Sequence, residues 1–175
     1  MNLYLRLFMV LIKMLFTARR GVLEASRLQF RVLPTDCDVN LHLNNGRYLT
    51  FMDLGRIHLL GQIGLLRPLL RARWAPVLGA AEINFIRPLK PLRRFELTTQ
   101  LITWDEKYFY IEQRFKSGGR LCAIALVKGL FMSGHQRVAS DSVLELLNLD
   151  MVAPSMPEFV RHWNDLTTLK KKHYS

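Results

Sequence analysis

The chain is poor in acid and poor in cysteine. Its 175 residues include 14 Asp or Glu against 25 Lys or Arg, for a net charge of +11, and two cysteines. Cys37 and Cys122 stand in no redox or metal-ligand spacing, which argues against a disulfide scaffold and for a reducing compartment. The histidines outside the central motif (His58, His135, His162 and His173) show no metal-ligand spacing either. There is no Gly-rich phosphate loop and no Gly-x-Ser-x-Gly elbow, so no metal, redox group or other cofactor is implied. No helix-turn-helix, zinc spacing or interleaving of basic and stacking aromatic residues directs the positive charge at nucleic acid. Phosphate-bearing small molecules, acidic carrier proteins and anionic lipid remain as its partners. Long hydrophobic runs are also missing. The stretch from Leu3 to Phe16 is broken by Arg6 and Lys13, and as a helix it reaches only about 20 Å, short of a roughly 30 Å hydrocarbon core. No small-residue cleavage site follows it, which argues against a secretory signal. With half its residues hydrophobic and no internal repeat or linker, the chain reads as one domain with a sizeable core.

What is present begins with a helix. Over residues 2–20, Asn2, Arg6, Lys13, Thr17 and Arg20 fall on one narrow stripe at helical spacing, and apolar residues fill the rest. Two readings stand side by side. The helix lies in a membrane interface with its basic residues toward the headgroups, or it packs on the protein body or another subunit. Leu28, Phe30 and Val32 alternate and predict a strand over 28–34, ended by Pro34. Residues 45–63 predict a helix that is apolar around most of its circumference and therefore buried, ended by Gly61 and Gly64 with Pro68 beyond. A short basic segment leads to four strands over about 77–87, 94–104, 107–117 and 120–133. The turns between them are short and predict antiparallel neighbours. Helices over 140–148, capped by Ser140 or Asp141, and over 157–170, with Pro157 at the start, complete the chain. A strand, a buried helix and four antiparallel strands make an α+β protein whose sheet must curl around the helix.

Between the first strand and the buried helix runs DCDVNLHLNNGRY, from Asp36 to Tyr48. Asn44 or Asn45 is a good N-cap for the helix. The N–H groups from Asn45 to Arg47 lack helical partners and carry partial positive charge, which suits an oxygen developing negative charge. Farther on, residues 67–94 carry Arg67, Arg71, Arg73, Arg87, Lys90, Arg93 and Arg94 against Glu82 alone. The last four of these cations surround a turn between strands.

The run DCDVNLHLNNGRYLTFMDLGR resembles the hotdog acyl-CoA thioesterases of the hydroxybenzoyl-CoA thioesterase type. These carry an aspartate, ten residues later a tyrosine in the central helix, then an acid and an arginine; Asp38, Tyr48, Asp53 and Arg56 hold those positions here. LPTDCDVNLHLNNGRYL followed by WDEKYFYIEQRF is similar to the thioesterase superfamily member six subgroup, over about residues 28–133. The resemblance implies a hotdog fold, an antiparallel sheet curled around a long central helix. It also implies hydrolysis of an acyl-CoA or acyl-ACP thioester and a homodimer or dimer of dimers, for which the long apolar strand 121–132 offers an interface. Asp38, Asn40 and His42 also fit the Asp-x-Asn-x-His arrangement of plant acyl-carrier-protein thioesterases. The glutamate which that family places in the strand after the helix has no counterpart near Ile86 and Arg87. A hotdog hydratase signature overlaps as well, but Leu41 replaces its proline and Tyr48 its small residue.

On this resemblance Asp38 activates water as a base or attacks directly to form a mixed anhydride. The helix N-terminus polarises the carbonyl, which makes Asn44, Asn45 and Gly46 substrate-binding. His42 orients Asp38, binds the carbonyl or protonates the leaving thiolate, and Asn40 holds the water or the carbonyl; for both, a hydrogen-bonded turn residue is the alternative. Tyr48 lines the pocket or fills the core. Arg87, Lys90, Arg93 and Arg94 suit the phosphates of CoA or an acidic carrier protein. Asp36 fixes the turn. Cys37 is no nucleophile, because its acidic neighbours raise its pKa. Asp53 is either an acid of the reaction or a partner of Arg56 three residues on. The expected division is an N-terminal amphipathic helix over 1–27, the hotdog domain over 28–150 and a helical tail over 151–175. The expected location is cytoplasmic, with residues 2–20 offering contact to the cytoplasmic face of a membrane. The competing reading is a membrane-associated acyl-binding protein of the same fold with little turnover.

Overall fold

The computed structural model describes residues 2–174. Its six strands are β1 (Ser26–Arg31), β2 (Trp74–Phe85), β3 (Arg94–Trp104), β4 (Phe109–Ser117), β5 (Arg120–Ser133) and β6 (Gln136–Val138). All pairings are antiparallel, in the order β1-β3-β4-β5-β2, with β6 extending the pairing of β5 beyond the end of β4. The central helix α2 (Asn45–Gln62) lies in the hollow of the curled sheet and buries Tyr48, Phe51, Met52, Leu54, Gly55, His58, Leu59 and Gln62. This is the hotdog arrangement.

The residues explain the fit. Phe51 meets Phe95 edge-on at 5.0 Å and Phe30 at 4.9 Å, and Tyr48 meets Phe115 at 4.8 Å, so aromatic rings pin the first half of α2 to the sheet. At Gly55 the helix lies tight against β3 and β4: a Cβ there would lie 2.5 Å from Thr99 Oγ1 and 2.9 Å from Gln113 Nε2. Only a residue without a side chain allows that approach.

Two connections depart from the expected order. Residues 86–93 do not join sheet neighbours, because β2 ends at the far edge beside β5 while β3 sits next to β1. The segment crosses the open end of the hollow. Ile86 and Arg87 donate to Cys122 O, Leu89 plugs the core at 1% exposure, and Leu92 N donates to Val32 O. Strand β5 is hydrogen-bonded along both edges, so residues 121–132 offer no edge for pairing with a second copy; the sheet ends at β1 on one side and on the other at β2, its long free edge. The basic segment after α2 is itself a helix, α3 (Leu66–Ala72). Pro68 does not prevent it, because it stands in the first turn, where its missing N–H would have had no helical partner.

Helix α1 (Asn2–Leu15) packs against α2. It does not keep its cations together at the surface. Arg6 turns inward at 5% exposure and binds Asp36, itself 1% exposed, at 2.9 and 2.6 Å. Burial makes both charges depend on each other, and removing one partner of such a pair costs about 3–5 kcal/mol. Helix α4 (Ser140–Glu145) closes one end of the hollow, and α5 (Glu158–Tyr174) covers the outer face of the sheet. There the buried Lys128 on β5 meets Asn164 and Thr167 of α5 and lies over the rings of Tyr108 and Trp163.

Candidate active site

The loop from Asp36 to Asn44 is built from the backbone outward. Pro34–Asp36 forms one 3-10 turn. Cys37 bridges to Leu43 across a tight reversal in which Asp38 N donates to His42 O at 3.0 Å and Leu41 N donates to Asp38 O at 3.0 Å. Leu41 sits at the tip with φ 56°, a conformation that turns the chain back on itself. Asp38 Oδ1 accepts from Asn40 N at 2.9 Å, so one carboxylate oxygen is held and the side chain stays half-buried. Asn40 is exposed and contributes through its backbone. His42 is half-buried, and it fixes Asp38 through its carbonyl rather than its ring.

Asn44 is the N-cap. Its side chain accepts from Gly46 N at 2.9 Å and its carbonyl from Arg47 N at 2.8 Å. Of the three N–H groups read as free to polarise an oxygen, those of Gly46 and Arg47 are therefore engaged in the cap. The Asn45 N–H donates to no other described residue. Tyr48 does not reach the large cavity described below. It is 3% exposed, wedged between Phe85 and Phe115, and burial raises its phenol to about 12, so it stays neutral. Burial first, then Asp36 and Asp38, raises the Cys37 thiol, as its acidic neighbours implied.

The basic turn is brought to this loop by the crossing segment. Leu43 N donates to Leu89 O at 2.8 Å, and Val32 N to Arg93 O at 3.0 Å. Arg87, Lys90, Arg93 and Arg94 are all exposed beside it, with Arg87 also anchored on Leu121 O at 2.8 Å.

A second feature lies along the other half of α2: an apolar cavity of about 430 Å³ between that helix, the sheet and α4. Ile57, Leu60, Ile63, Leu101, Phe131 and Leu144 are among its walls, and Pro76, Val77 and Leu78 of the free edge mark its mouth. Asp53 and Arg56 stand at that mouth and pair with each other. Arg56 also donates to Gln113 Oε1 at 2.9 Å, while Gln113 Nε2 donates to Met52 O and Thr99 Oγ1. This network escaped the sequence reading. A glutamine at an inward position of an alternating strand was its one visible sign.

Comparison with known proteins agrees with the geometry. Residues 32–164 match the family model of the thioesterase-like superfamily. The zebrafish (Danio rerio) protein THEM6 is 36% identical over 147 residues, covering 82% of this chain and 71% of its own. A probable thioesterase of Saccharomyces cerevisiae is 28% identical over 142 residues, covering 79% of this chain and 61% of its own. Among solved structures, the Escherichia coli protein YbaW, described as a probable thioesterase, superposes with a TM-score of 0.64 at 24% identity, covering 69% of this chain and 97% of its own. Fold, family model and relatives converge: the chain belongs to the thioesterase-like superfamily and is a hotdog-fold thioester hydrolase.

Proposed function

We propose that the protein hydrolyses aliphatic acyl thioesters of CoA or of an acyl carrier protein at the Asp38 loop. One juxtaposition carries the reading: Asp38, the uncommitted Asn45 N–H and the basic turn meet at one end of α2. Asp38 activates water or attacks the carbonyl itself. The Asn45 N–H and the helix dipole stabilise the oxyanion. Arg87, Lys90, Arg93 and Arg94 receive the phosphates. His42 and Asn40 shape the loop through their backbones and stand near enough in sequence to assist. The two free thiols, Cys37 and Cys122, support a reducing, cytoplasmic setting.

The apolar cavity takes the acyl chain. A methylene is close in size to water, whose share of liquid volume is about 30 Å³. A cavity of about 430 Å³ therefore holds roughly a dozen methylenes. Its walls offer no polar side chain beyond the Asp53–Arg56 pair at the mouth, which favours an unsubstituted chain.

Within one copy the loop and the cavity mouth lie toward opposite ends of α2, and a homodimer reconciles them. Phe85 packs on Tyr48 at 5.0 Å, so the end of β2 carrying Phe85 lies at the start of α2 and the Pro76–Leu78 end at the cavity. Two-fold antiparallel pairing of β2 with a second β2 sets Phe85 of one copy opposite Trp74 of the other. The loop of one copy then faces the cavity of its partner, and the exposed Val39 and Leu41 at the loop tip gain cover. Helix α5 already occupies the outer face of the sheet, which favours a dimer over a back-to-back dimer of dimers.

The test follows thiol release from saturated acyl-CoAs of increasing length, and from acyl-ACP, by wild type and Asp38→Asn. Expected is a loss of about 10²–10⁴-fold in kcat for Asp38→Asn, with the wild-type optimum among medium to long chains. Release that survives the substitution removes Asp38 from the chemistry.

A further inference from the structure

Helix α1 wears its polarity inside out. Its inward face is led by Arg6 and Val10, both buried, while Tyr4, Leu5, Phe8, Met9 and Leu15 stand exposed, followed by Phe16 at 84% exposure. A soluble surface rarely carries so large a contiguous apolar patch without a partner for it. Exposed Lys13, Arg19 and Arg20 lie at and just beyond the end of the helix; Glu24, the one acid in the first 31 residues, pairs with Arg20 at 3.7 Å and leaves Lys13 and Arg19 with no acidic partner among the described residues. Pairing of this face with a second copy would set those cations against their own kind; an anionic lipid surface complements both the apolar face and the charge. The helix has 14 residues, about 21 Å, so it suits lying on such a surface. No helix among the described residues is long and apolar enough to cross a membrane.

The inner face leads to the site loop. The Arg6 guanidinium grips both oxygens of Asp36, reaches Arg31 O at 3.4 Å and lies 4.5 Å over the Phe51 ring. Asp36 in turn secures both strands of the loop. Its carboxylate accepts from Leu33 N at 2.9 Å, and its carbonyl accepts from Asn44 N, the N-cap of α2, at 2.9 Å. Asp38 is two residues away.

We propose that α1 seats the protein on an anionic lipid surface by its outer face, and that Arg6 on its inner face is a positioning residue that holds the Asp38 loop through Asp36. The second half rests on the reading of Asp38 as the reacting acid. The protein thus works where its apolar substrate partitions, with the seated helix braced against the catalytic loop.

Two measurements on the full chain test this. In flotation with phosphatidylcholine vesicles containing phosphatidylserine, wild type co-migrates, and does so less at high salt. Leu5→Glu with Phe8→Glu lowers binding by more than about tenfold and leaves the melting temperature and the hydrolysis of a short, soluble acyl-CoA unchanged. Failure of wild type to float, or flotation that the double variant retains, overturns the docking. So does self-association in vesicle-free solution that the double variant abolishes, which assigns the face to a second copy. In the second measurement, Arg6→Met lowers kcat at constant KM and moves the acid limb of its pH profile, and Arg6→Lys restores part of both. If Arg6→Met does not fold, Arg6→Lys against wild type reads the same two quantities. Unchanged kcat and pH profile in the folded variants overturns the positioning role. Absence of thiol release by wild type on every thioester removes the Asp38 reading and the positioning role with it, while flotation still decides the docking.

Discussion

His58 is wholly buried on α2, with Nδ1 2.7 Å from Ser26 Oγ and Nε2 without a partner among the described residues. Burial lowers its pKa to about 4, and the charges of Lys13 and Arg20 push the same way. The folded pKa lies below the unfolded value near 6.5, so the unfolded chain binds more protons between the two. The stabilisation is full above about pH 6.5 and is lost as pH falls toward 4, a change on the order of 3 kcal/mol. Urea unfolding of wild type and His58→Gln across that range is the check: the acid-side slope is expected in wild type and much reduced in the variant. At this scale, residues whose partners are close in sequence were legible. Asn44 caps the helix that it precedes, and Asp38 closes on Asn40 and His42. Arg6 and Gln113 were not, because Arg6 meets Asp36 30 positions away and Gln113 meets Met52 61 positions away. No local pattern carries such pairs.

The elements show the same division between local and distant causes. Periodicity was enough for α2, β3, β5 and α5, because the pattern of burial repeats along each of them. It was not enough for α3, whose proline looked like a stop, or for the place of β2, which depends on where residues 86–93 cross. Gly55 illustrates the tertiary override. Helix propensity alone says that Gly→Ala at mid-helix gains up to about 1 kcal/mol. The close approach of Thr99 and Gln113 reverses the sign, and Gly55→Ala is expected to cost about 1–3 kcal/mol instead. Differential scanning calorimetry decides between them, since at this chain length each kcal/mol moves Tm by roughly 2–4 °C. A rise in Tm would mean that α2 sits farther from the sheet.

For the whole molecule, the free edge is the feature that the sequence concealed most fully. β2 offers 12 residues of unpaired edge, with Val77, Leu78 and Phe85 exposed along it. Single domains usually blunt such an edge. Paired two-fold along its length, it sets Leu78 opposite Ala81 of the second copy. Leu78→Lys with Ala81→Lys then places like charges face to face. Analytical ultracentrifugation is expected to give a dimer for wild type and a monomer for the double variant, with unchanged circular dichroism and reduced thiol release. A wild-type monomer would remove the composite site.

The same strand has a consequence in time. β3, β4 and β5 follow one another in the chain and pair as neighbours, so they can assemble as a local meander. β2 precedes all of them yet pairs only with the last, at registers such as Trp74 with Ser133. Its docking must await the completed meander and close a loop of roughly that length, which makes it a slow, high-contact-order step. Until then an apolar strand is open on both edges. Folding of this chain is therefore expected to be most vulnerable to aggregation in the interval before β2 is captured, and the strand that completes the sheet is also the one proposed to pair with a second copy.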